Sequence, residues 1–378
     1  MSAEELRSRD LSGRAWGGAV RSAPAFRFID LFAGIGGFRF ALDALGGECV
    51  LTVERDRFAR QTYTAWHGVE DESTFLEDIE DVEPERVPDH DILAAGFPCQ
   101  PFSLAGVSKK NSLGRAHGLE DATQGHLFFR IASIAAKKTP RMLLLENVKN
   151  LRSHDGGRTW RTIRRHLLEI GYTPHIEVYD ARHWVAQHRE RVFILAFNNE
   201  LVDPDAPFVF PPPPKRPKSR QRTLKGVLQN GHVDERYVLT DNLWDYLRAY
   251  REKHEKKGNG FGYSVFGPGD VARTLSARYH KDGSEILIAR PEDPAGVPRR
   301  LTPIEAQRLM GFDSRSLGRT GRSPRIVVSD TQAYRQFGNA VVPAVAKFVA
   351  AAGWEHAIGA NIGEKDVTRH PHAVRKAA

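Results

Sequence analysis

The residues of this chain best suited to chemistry follow apolar runs typical of strands. Cys99 lies in GFPCQPFS, residues 96 to 103, directly after the run ILAA. A strand that ends there displays its thiol at a loop tip, and a thiolate is a nucleophile. The chain has only two cysteines, so a disulfide framework or a zinc cluster is not expected, and we predict no metal site. Cys49, inside CVLTV, is expected in the core.

An acid and two arginines follow or open other strand-like runs. Glu146 and Asn147 come after MLLL, and burial at that point would raise the pKa of the carboxyl group. Arg189 and Arg191 in QHRERVF are two residues apart at the start of a strand, so they face the same side. Each has an ordinary alternative: Cys99 could be a small core residue, Glu146 a helix cap or an ion-pair partner, and the arginines surface ion pairs.

A glycine-rich turn indicates a nucleotide-type ligand. FRFIDL is followed by AGIGG, a helical pattern and the strand CVLTV, and Glu54 lies 20 residues after Gly34. This is the layout of a nucleotide-binding βαβ unit, in which an acid can hold a ribose hydroxyl pair. Gly37 comes too early for the dinucleotide fingerprint, which weakens a nicotinamide interpretation and leaves other adenosine cofactors open.

Alternation of strands and helices positions these groups. The strands DHDILAAGF, RMLLLENV, HIEVYDARHW and RVFILAF are separated by the helices LFFRIASIAAKK and TWRTIRRHLLEIGY. Such alternation predicts an α/β fold with a doubly wound, mainly parallel sheet, whose ligands bind at the carboxyl ends of strands. The glycine turn, Glu54, the PCQ loop and Glu146 all lie at such ends.

Composition points to a polyanionic partner. The 378 residues are 40% hydrophobic and carry a net charge of +8. Residues 201 to 300 hold 18 Lys/Arg and 13 Asp/Glu, which is +5 of that excess. A basic segment favours a polyanion, although solubility alone could also explain it. No apolar run reaches membrane-spanning length, and the scarcity of cysteine fits a reducing cytoplasm.

Six segments resemble the motifs of DNA cytosine-5 methyltransferases, in the family's order and with compatible spacing. They are FIDLFAGIGGFRFAL, GFPCQPFS, ENV, QHRERVF, RLTPIEAQRLMGF and QFGNAVVP. The match covers roughly residues 26 to 352. The resemblance implies a class I S-adenosylmethionine-dependent, Rossmann-like fold with a smaller target recognition domain, of the bacterial restriction-modification type.

The resemblance also implies roles for the reactive residues. A thiolate that adds to carbon 6 of cytosine makes carbon 5 nucleophilic, and Cys99 corresponds to that thiol. Glu146 would supply a proton at ring nitrogen 3, and Asn147 would hold the loop that carries the thiol. Arg191 would contact the cytosine, and Arg189 would help to position the base or its phosphate.

The implied cofactor is S-adenosyl-L-methionine. Phe32 would stack on the adenine, the turn glycines would wrap the methionine moiety, and Glu54 would take the ribose hydroxyls. Asp78 would receive the adenine amino group. The full set of implied cofactor-binding residues is Phe32, Gly34, Gly36, Gly37, Glu54, Asp78, Ile79, Gly96, Pro98, Asn339 and Val341.

Two segments are expected to contact double-stranded DNA, from which the target base must be flipped out. The polar, Gly/Ser-rich stretch 100–125 resembles the mobile loop that closes over the base, with candidate contacts Gln100, Ser103, Lys109, Lys110 and Arg115. The variable region 201–299, called here the recognition segment, resembles the subgroup that methylates the inner cytosine of CCGG, CCWGG or CCNGG sites. Its candidate contacts are Arg273, Thr274, Leu275, Arg278, Tyr279, His280 and Lys281.

The expected domain organisation is a flexible leader at 1–25, a catalytic and cofactor-binding domain at 26–200 plus 300–352, the recognition segment, and a loose tail at 353–378. Four consecutive prolines at 211–214 predict a spacer near the start of the recognition segment. A monomer is expected, and a restriction endonuclease acting on the same site is a possible functional partner without direct contact.

Three other functions are weighed against this interpretation. A tRNA cytosine-5 methyltransferase would share the cysteine, the glutamate and the cofactor pocket, but the long basic recognition segment argues against it. An inert DNA-binding regulator on the same scaffold would typically lack Cys99 or Glu146, and both are present. A nicotinamide dehydrogenase would account for AGIGG and Glu54 but not for the remaining motifs.

Overall fold

The computed structural model describes residues 24–69, 71–98, 126–215, 217, 221–256, 258, 262–281, 283–318 and 323–360. Within these residues one sheet contains strands β1 (Phe26–Leu31), β2 (Gly47–Val53), β3 (Phe75–Leu76), β4 (Ile92–Gly96), β5 (Met142–Val148), β6 (Tyr172–Asp180) and β7 (Glu190–Asn198). Their order across the sheet is β3-β2-β1-β4-β5-β7-β6. Apart from its last two residues, the expected leader lies outside the described residues.

The sheet confirms the predicted doubly wound, mainly parallel α/β fold. Strands β1 to β5 are parallel, whereas β7 runs antiparallel to both of its neighbours, β5 and β6. The reversal brings the amino end of β7 to the edge where β1, β2, β4 and β5 end. Gly96 is therefore paired with Glu146, and Val148 with Arg191, at one edge of the sheet.

Helices cover both faces of the sheet. They are α1 (Gly37–Asp43), α2 (Arg57–His67), α3 (His126–Lys138), α4 (Arg158–Glu169), α5 (Asp241–Glu255), α6 (Pro303–Leu309), α7 (Asp330–Asn339) and α8 (Pro343–Gly359). Apolar residues of α3 and α4 share one core cluster with Ile29, Leu93 and Leu143. Helices α1, α6, α7 and α8 contribute to a second cluster with Phe28, Ile92 and Leu144 on the opposite face. The strands read as continuous apolar runs because both of their faces are buried.

The C-terminal helix extends further than the sequence predicts. Residues 353–359 belong to α8, Gly353 lies close to Met142 and Leu195, and the ring of Trp354 packs on Phe26 at 5.0 Å. The tail boundary expected at 353 is therefore wrong, since the helix stays on the sheet through Gly359. The stretch Asp330–Gly359 has the length and hydropathy of a membrane span, but it comprises α7 and α8. Their apolar residues, including Val345 and Val349, are buried in the core.

The recognition segment has a small core of its own and also contributes to the large one. Short strands β8 (Val265–Phe266), β9 (Leu287–Ile288) and β10 (Arg299–Arg300) form a second sheet within the described residues. Its separate cluster includes Leu239, Trp244 and Leu247. Other residues of the segment, Val202, Leu224, Val227, Ala272, Leu275 and Tyr279, belong to the large cluster that includes Phe28 and Leu144.

Candidate active site

A cavity of about 530 Å³ lies at the edge of the sheet where the parallel strands end. Its size is typical of pockets for small ligands. The predicted site residues that line it are Phe32, Gly34, Gly37, Glu54, Asp78, Ile79, Gly96, Pro98, Glu146, Asn147, Arg189, Arg191, Asn339 and Val341. Gly36 is not part of the lining. The fold thus brings residues from seven separate stretches of sequence to one site, as expected for a sheet whose strand ends converge.

The turn between β1 and α1 has the backbone conformation that its glycines allow. Gly34 and Gly36 have φ values of 57° and 84°, and Gly36 is the N-cap residue of α1. A Cβ atom on Gly37 would lie 2.5 Å from the carbonyl oxygen of Val341, so only glycine allows this close approach. Phe32 also has a positive φ of 57°, which is strained for a bulky side chain and typical of ligand sites.

Glu54 is bound to the glycine turn. One carboxylate oxygen accepts a hydrogen bond from the Gly34 amide at 2.7 Å, and the other accepts from the Asp56 amide at 2.7 Å. Burial raises the pKa of Glu54, and these two hydrogen bonds oppose that rise because they stabilise the charged form. Glu54 lines the cavity, where ribose hydroxyls could reach it.

The neighbouring acid Asp78 caps a short 3-10 turn, and its carboxylate accepts a hydrogen bond from the Glu80 amide at 3.1 Å. The Nε atom of Arg55 lies 3.4 Å from its other oxygen. The next residue, Ile79, is buried and lines the same cavity. A carboxylate beside an apolar wall can accept from an exocyclic amino group while the wall packs on the ring.

The acids of the cavity are concentrated on one side. Glu54, Asp56, Glu77 and Asp78 come from the β2–β3 side of the sheet together with Arg55, whereas Glu146 comes from β5 and Arg189 and Arg191 come from the β7 side. The acidic side has the acceptors that an adenosine and a cationic sulfonium require, and the glycine turn leaves space for a ligand backbone. The residues present therefore fit S-adenosylmethionine, for which Glu54 and Asp78 would hold the adenosine and the turn would face the methionine moiety.

Glu146 and Arg191 form a buried ion pair. Arg191 Nε lies 3.2 Å from Glu146 Oε1, and Glu146 is only 8% exposed. Burial raises the pKa of Glu146, while the positive charges of Arg191 and Arg189 oppose the rise. The same burial lowers the pKa of Arg191, and Glu146 opposes that change. The structural alternative for Glu146, an ion pair with arginine, is present here, but it lies inside the cavity and not on the surface.

Asn147 holds the residues that lead to the thiol loop. Its amide nitrogen donates to the carbonyl oxygen of Phe97 at 2.9 Å, and its side-chain oxygen accepts from the Val148 amide at 2.9 Å. The Phe97 ring is buried 6.0 Å from that of Phe128. The chain is therefore fixed up to Pro98. Cys99 itself lies outside the described residues, as do Gln100, Ser103, Lys109, Lys110 and Arg115.

A model of the family described as C-5 cytosine-specific DNA methylase matches residues 26–353. The chain belongs to this family. It is a DNA cytosine methyltransferase with the fold of class I S-adenosylmethionine-dependent enzymes, and that family and fold imply this cofactor.

Relatives of known function span most of the chain. The DNA-cytosine methyltransferase of Escherichia coli is 45% identical, with 86% of this chain and 77% of the relative covered. The type II methyltransferase M.NlaX of Neisseria lactamica is 44% identical over 86% of this chain and 95% of the relative. The crystal structure of the S. pombe Dnmt2 methyltransferase superposes with a TM-score of 0.64 at 18% identity, covering 87% of this chain and 98% of that one. At that identity the last match shows the fold alone.

The structure gives Arg189 of this methylase backbone partners that its sequence did not predict. Its guanidinium is 2% exposed and donates to the carbonyl oxygens of Leu275, Gly338 and Ala340 at 3.0, 2.9 and 3.0 Å. Its Nε atom is buried and has no hydrogen-bond partner among the described residues, and the predicted help in positioning the base or its phosphate stays a prediction. Arg189 and Arg191 do line the same cavity, as their spacing predicts.

The structure divides the candidate DNA contacts of the recognition segment into two groups. Arg273, Arg278 and Lys281 are exposed, and His280 is half-buried with its Nδ1 3.1 Å from the carbonyl oxygen of Ala277. Leu275 and Tyr279 are fully buried. The Tyr279 hydroxyl donates to the Ile286 carbonyl at 2.6 Å and accepts from the Leu301 amide at 2.7 Å. The prediction of DNA contacts is therefore wrong for Leu275 and Tyr279, which are core residues.

Thr274 also has a structural partner. Its hydroxyl donates to the carbonyl oxygen of His188 at 2.7 Å. The Thr274–Leu275 pair, which resembles a motif of target recognition domains, thus attaches the segment to the strand that carries Arg191. The sequence pattern identifies the pair but does not predict that its partners include residues 187 and 188.

Two fully buried polar residues near the site were missed from the sequence. Gln187 is fully buried, and its side-chain oxygen accepts from the Leu275 amide at 2.8 Å. Its position in the motif QHRER, two residues before Arg189, could have identified Gln187 as a residue of the site region. Asp30 in FIDL is fully buried near the end of β1. An acid inside a buried strand was the signal there.

Proposed function

We propose that this methylase transfers a methyl group from S-adenosylmethionine to carbon 5 of a cytosine flipped out of duplex DNA, through a covalent bond between Cys99 and carbon 6. The observation that carries the proposal is the buried pair Glu146–Arg191, which is joined through Gly96 to the residues preceding Cys99. A carboxyl group and a guanidinium beside the strand end that precedes Cys99 match the needs of a pyrimidine that is attacked at carbon 6.

The proposed reaction starts at the chain's own groups. The Cys99 sulfur donates an electron pair to carbon 6, the bond between carbons 5 and 6 loses its double character, and Glu146 gives a proton to nitrogen 3. S-adenosylmethionine, held by the glycine turn, Glu54 and Asp78, would supply an electrophilic methyl group to carbon 5, and S-adenosylhomocysteine would leave as the sulfur–methyl bond breaks. A base then removes the proton from carbon 5, the sulfur–carbon 6 bond breaks, and the proton on nitrogen 3 returns to Glu146. The thiolate and the acid are thereby restored.

The surroundings of Glu146 support its role as the proton donor. Burial raises the pKa of this carboxyl group, and a neutral carboxylic acid can donate where a carboxylate cannot. Arg191 lies 3.2 Å away and limits the rise, so the acid can return to the charged form. In the proposed complex Arg191 shares its guanidinium between Glu146 and the cytosine.

Trapping the covalent bond tests the proposal. The protein is incubated with duplex DNA containing 5-fluorocytosine and S-adenosylmethionine, and denaturing gels are examined for a protein–DNA complex. Fluorine at carbon 5 cannot leave as a proton does, so the Cys99–carbon 6 bond should persist. The chain has two cysteines, which gives a matched pair of variants. Cys49→Ala should still form the complex, and Cys99→Ala should not. A complex with Cys99→Ala would contradict the assignment of the nucleophile.

We also propose that the target is the inner cytosine of a CCGG, CCWGG or CCNGG site. The resemblance of the recognition segment to that subgroup supports this, and Arg273, Arg278 and Lys281 are exposed there for contacts in the major groove. Relatives named type II methyltransferases support a role beside a restriction endonuclease of the same site.

Bisulfite sequencing of DNA from an expressing host tests the target. Methylation confined to the inner cytosine of CCxGG-type or CCGG sites is the expected result. Methylation at unrelated sites would contradict the subgroup, while transfer of methyl groups to tRNA but not to duplex DNA would contradict the DNA substrate itself.

A further inference from the structure

A seam of hydrogen bonds joins the recognition segment to the residues before β7. The Ala272 amide donates to the Ala186 carbonyl at 2.9 Å, and the His188 amide donates to the Ala272 carbonyl at 2.8 Å. The side chains of Gln187 and Thr274 add two further bonds across the same seam. Every bond involves backbone, so the path of residues 272–275 is fixed relative to β7.

Arg189 connects this seam to residues 338–341, which line the cavity. One terminal nitrogen donates to Leu275 in the recognition segment, and the other donates to Gly338 and Ala340, at the end of α7. Asn339, Ala340 and Val341 line the cavity. Residue 338 is 149 positions from Arg189, so a single side chain links three distant parts of the chain.

The recognition segment also contacts α7 directly, at Gly338. A Cβ atom at this position would lie 2.3 Å from the Ala277 amide nitrogen and 2.4 Å from the Ser276 carbonyl oxygen. The backbone of the recognition segment therefore packs on the last turn of α7 with no side chain between them. Movement of residues 275–277 cannot leave residues 338–341 undisturbed, because neither side has space to give.

The charge of Arg189 is stabilised in part by these carbonyl oxygens. Burial lowers the pKa of Arg189 and nearby Arg191 lowers it further, while Glu146 opposes both. An arginine nevertheless remains charged at neutral pH, and its three carbonyl partners replace part of the water it has lost, while its buried Nε atom has no hydrogen-bond partner among the described residues. A lysine would keep the charge but lacks the planar fork that reaches partners on two segments at once.

We infer that Arg189 is a positioning residue that couples the recognition segment to the cofactor pocket, so that DNA bound by the segment strengthens cofactor binding through residues 338–341. The inference rests on the proposed function. It assigns Arg189 no contact with the base, the phosphate or the methyl donor. By reciprocity, the bound cofactor strengthens DNA binding by the same factor.

Binding measurements with and without DNA test the coupling. The probes are S-adenosylhomocysteine and linear plasmid DNA prepared from a methylase-deficient host, which contains all short target sites. The ratio of the two S-adenosylhomocysteine dissociation constants is measured for wild type, Arg189→Lys and Arg141→Lys. Arg141 is a matched control because it also donates to two distant carbonyl oxygens, those of Leu201 and Ala357, away from the cavity.

Wild type and Arg141→Lys should bind S-adenosylhomocysteine about tenfold more tightly with DNA than without it, within the range typical of couplings between sites. Arg189→Lys should lose most of that factor, with a raised KM for S-adenosylmethionine and a DNA affinity without cofactor that stays within about threefold. No DNA effect in wild type, or an unchanged ratio in Arg189→Lys, would overturn the inference. Absence of methyl transfer by wild type would instead refute the proposed function, so the two failures are distinguishable.

Discussion

At the scale of single residues, Glu146 must be protonated to donate to cytosine, and its surroundings favour that form. Burial raises its pKa, and the protonated fraction falls as pH rises through that value. The rate of methyl transfer should therefore decline toward high pH. This dependence belongs to the carboxyl group and should disappear if an amide replaces it.

Glu146→Gln should lower the single-turnover rate of methyl transfer by about 10²–10⁴-fold, the range typical of a lost general acid. Gln keeps the shape and can still accept from Arg191, but it cannot give nitrogen 3 a proton. Glu169→Gln, a change on the exposed side of α4, serves as the control and should retain the wild-type rate. A Glu146→Gln rate close to that of wild type would assign the proton to another donor.

Asp30 should make the free energy of unfolding depend on pH as well. Burial raises its pKa to about 8, and nearby Arg39 opposes the rise. Between its unfolded pKa, near 4, and its folded one, the native state holds a proton that the unfolded state has lost. Stability should therefore fall as pH rises through that window, by at most about 1.4 kcal/mol per pH unit.

Asp30→Asn should flatten this dependence, because an amide does not titrate. The free energy of unfolding is measured in urea from pH 5 to pH 9 for wild type, Asp30→Asn and the exposed-site control Asp205→Asn. The control should show the wild-type slope. If Asp30→Asn shows that slope as well, another buried group must be responsible.

At the scale of elements, the start of α6 joins the recognition segment to the catalytic core. Thr302 and Glu305 form a capping box, and Pro303 occupies the first turn. The Glu305 carboxylate also accepts from both terminal nitrogens of Arg299 on β10, at 2.7 and 2.9 Å, with Glu305 fully buried. The motif RLTPIEA therefore has a structural role, since it attaches the recognition segment to α6. None of its residues lines the cavity.

Glu305→Gln should destabilise the protein by about 3–5 kcal/mol, since it leaves the Arg299 charge buried without a counter-ion. Urea unfolding measures the loss. The control is Glu255→Gln, which removes an exposed pair with Arg251 on α5 and should cost less than about 1 kcal/mol. A small effect at Glu305 would mean that water reaches the Arg299 guanidinium.

The strands and most helices were predictable because their patterns are local. FRFIDL, CVLTV, MLLLENV and RVFILAF lie where the apolar runs place them, and the glycine turn follows β1 as expected. The reversed direction of β7 was not predictable, since a strand buried on both faces has the same pattern either way. The partners of Arg189 and Tyr279 depend on contacts between residues far apart in sequence, which no local pattern encodes.

At the scale of the whole molecule, the positive charge should make DNA binding strongly dependent on salt. The chain carries a net charge of +8, and Arg273, Arg278 and Lys281 are exposed on the recognition segment. Each phosphate neutralised by such a side chain releases counter-ions, so the logarithm of the association constant falls linearly with the logarithm of salt concentration.

Lys281 can contact a phosphate or a base in the major groove, and Lys281→Ala distinguishes the two: a phosphate contact predicts a slope reduced by about 1 and weaker binding to all DNA sequences alike. Fluorescence anisotropy with duplex DNA at several salt concentrations measures the slope. Lys137→Ala, on α3 and paired with Glu85, should leave the slope unchanged. A loss of affinity for one target sequence only would instead make Lys281 a base contact.

The bridge between Val238 and Arg299 has a consequence for engineering new target specificities. Because those two positions are neighbours in space, a foreign segment can replace residues 238–299 without distorting the backbone of the catalytic domain at its two ends. Such a chimaera must still keep the host residues at 272 and 275–277, which fit against the QHRER stretch and Gly338. Chimaeras that exchange the loops but keep residues 272 and 275–277 should therefore fold and acquire the new specificity. Chimaeras that also replace these residues should fail to fold.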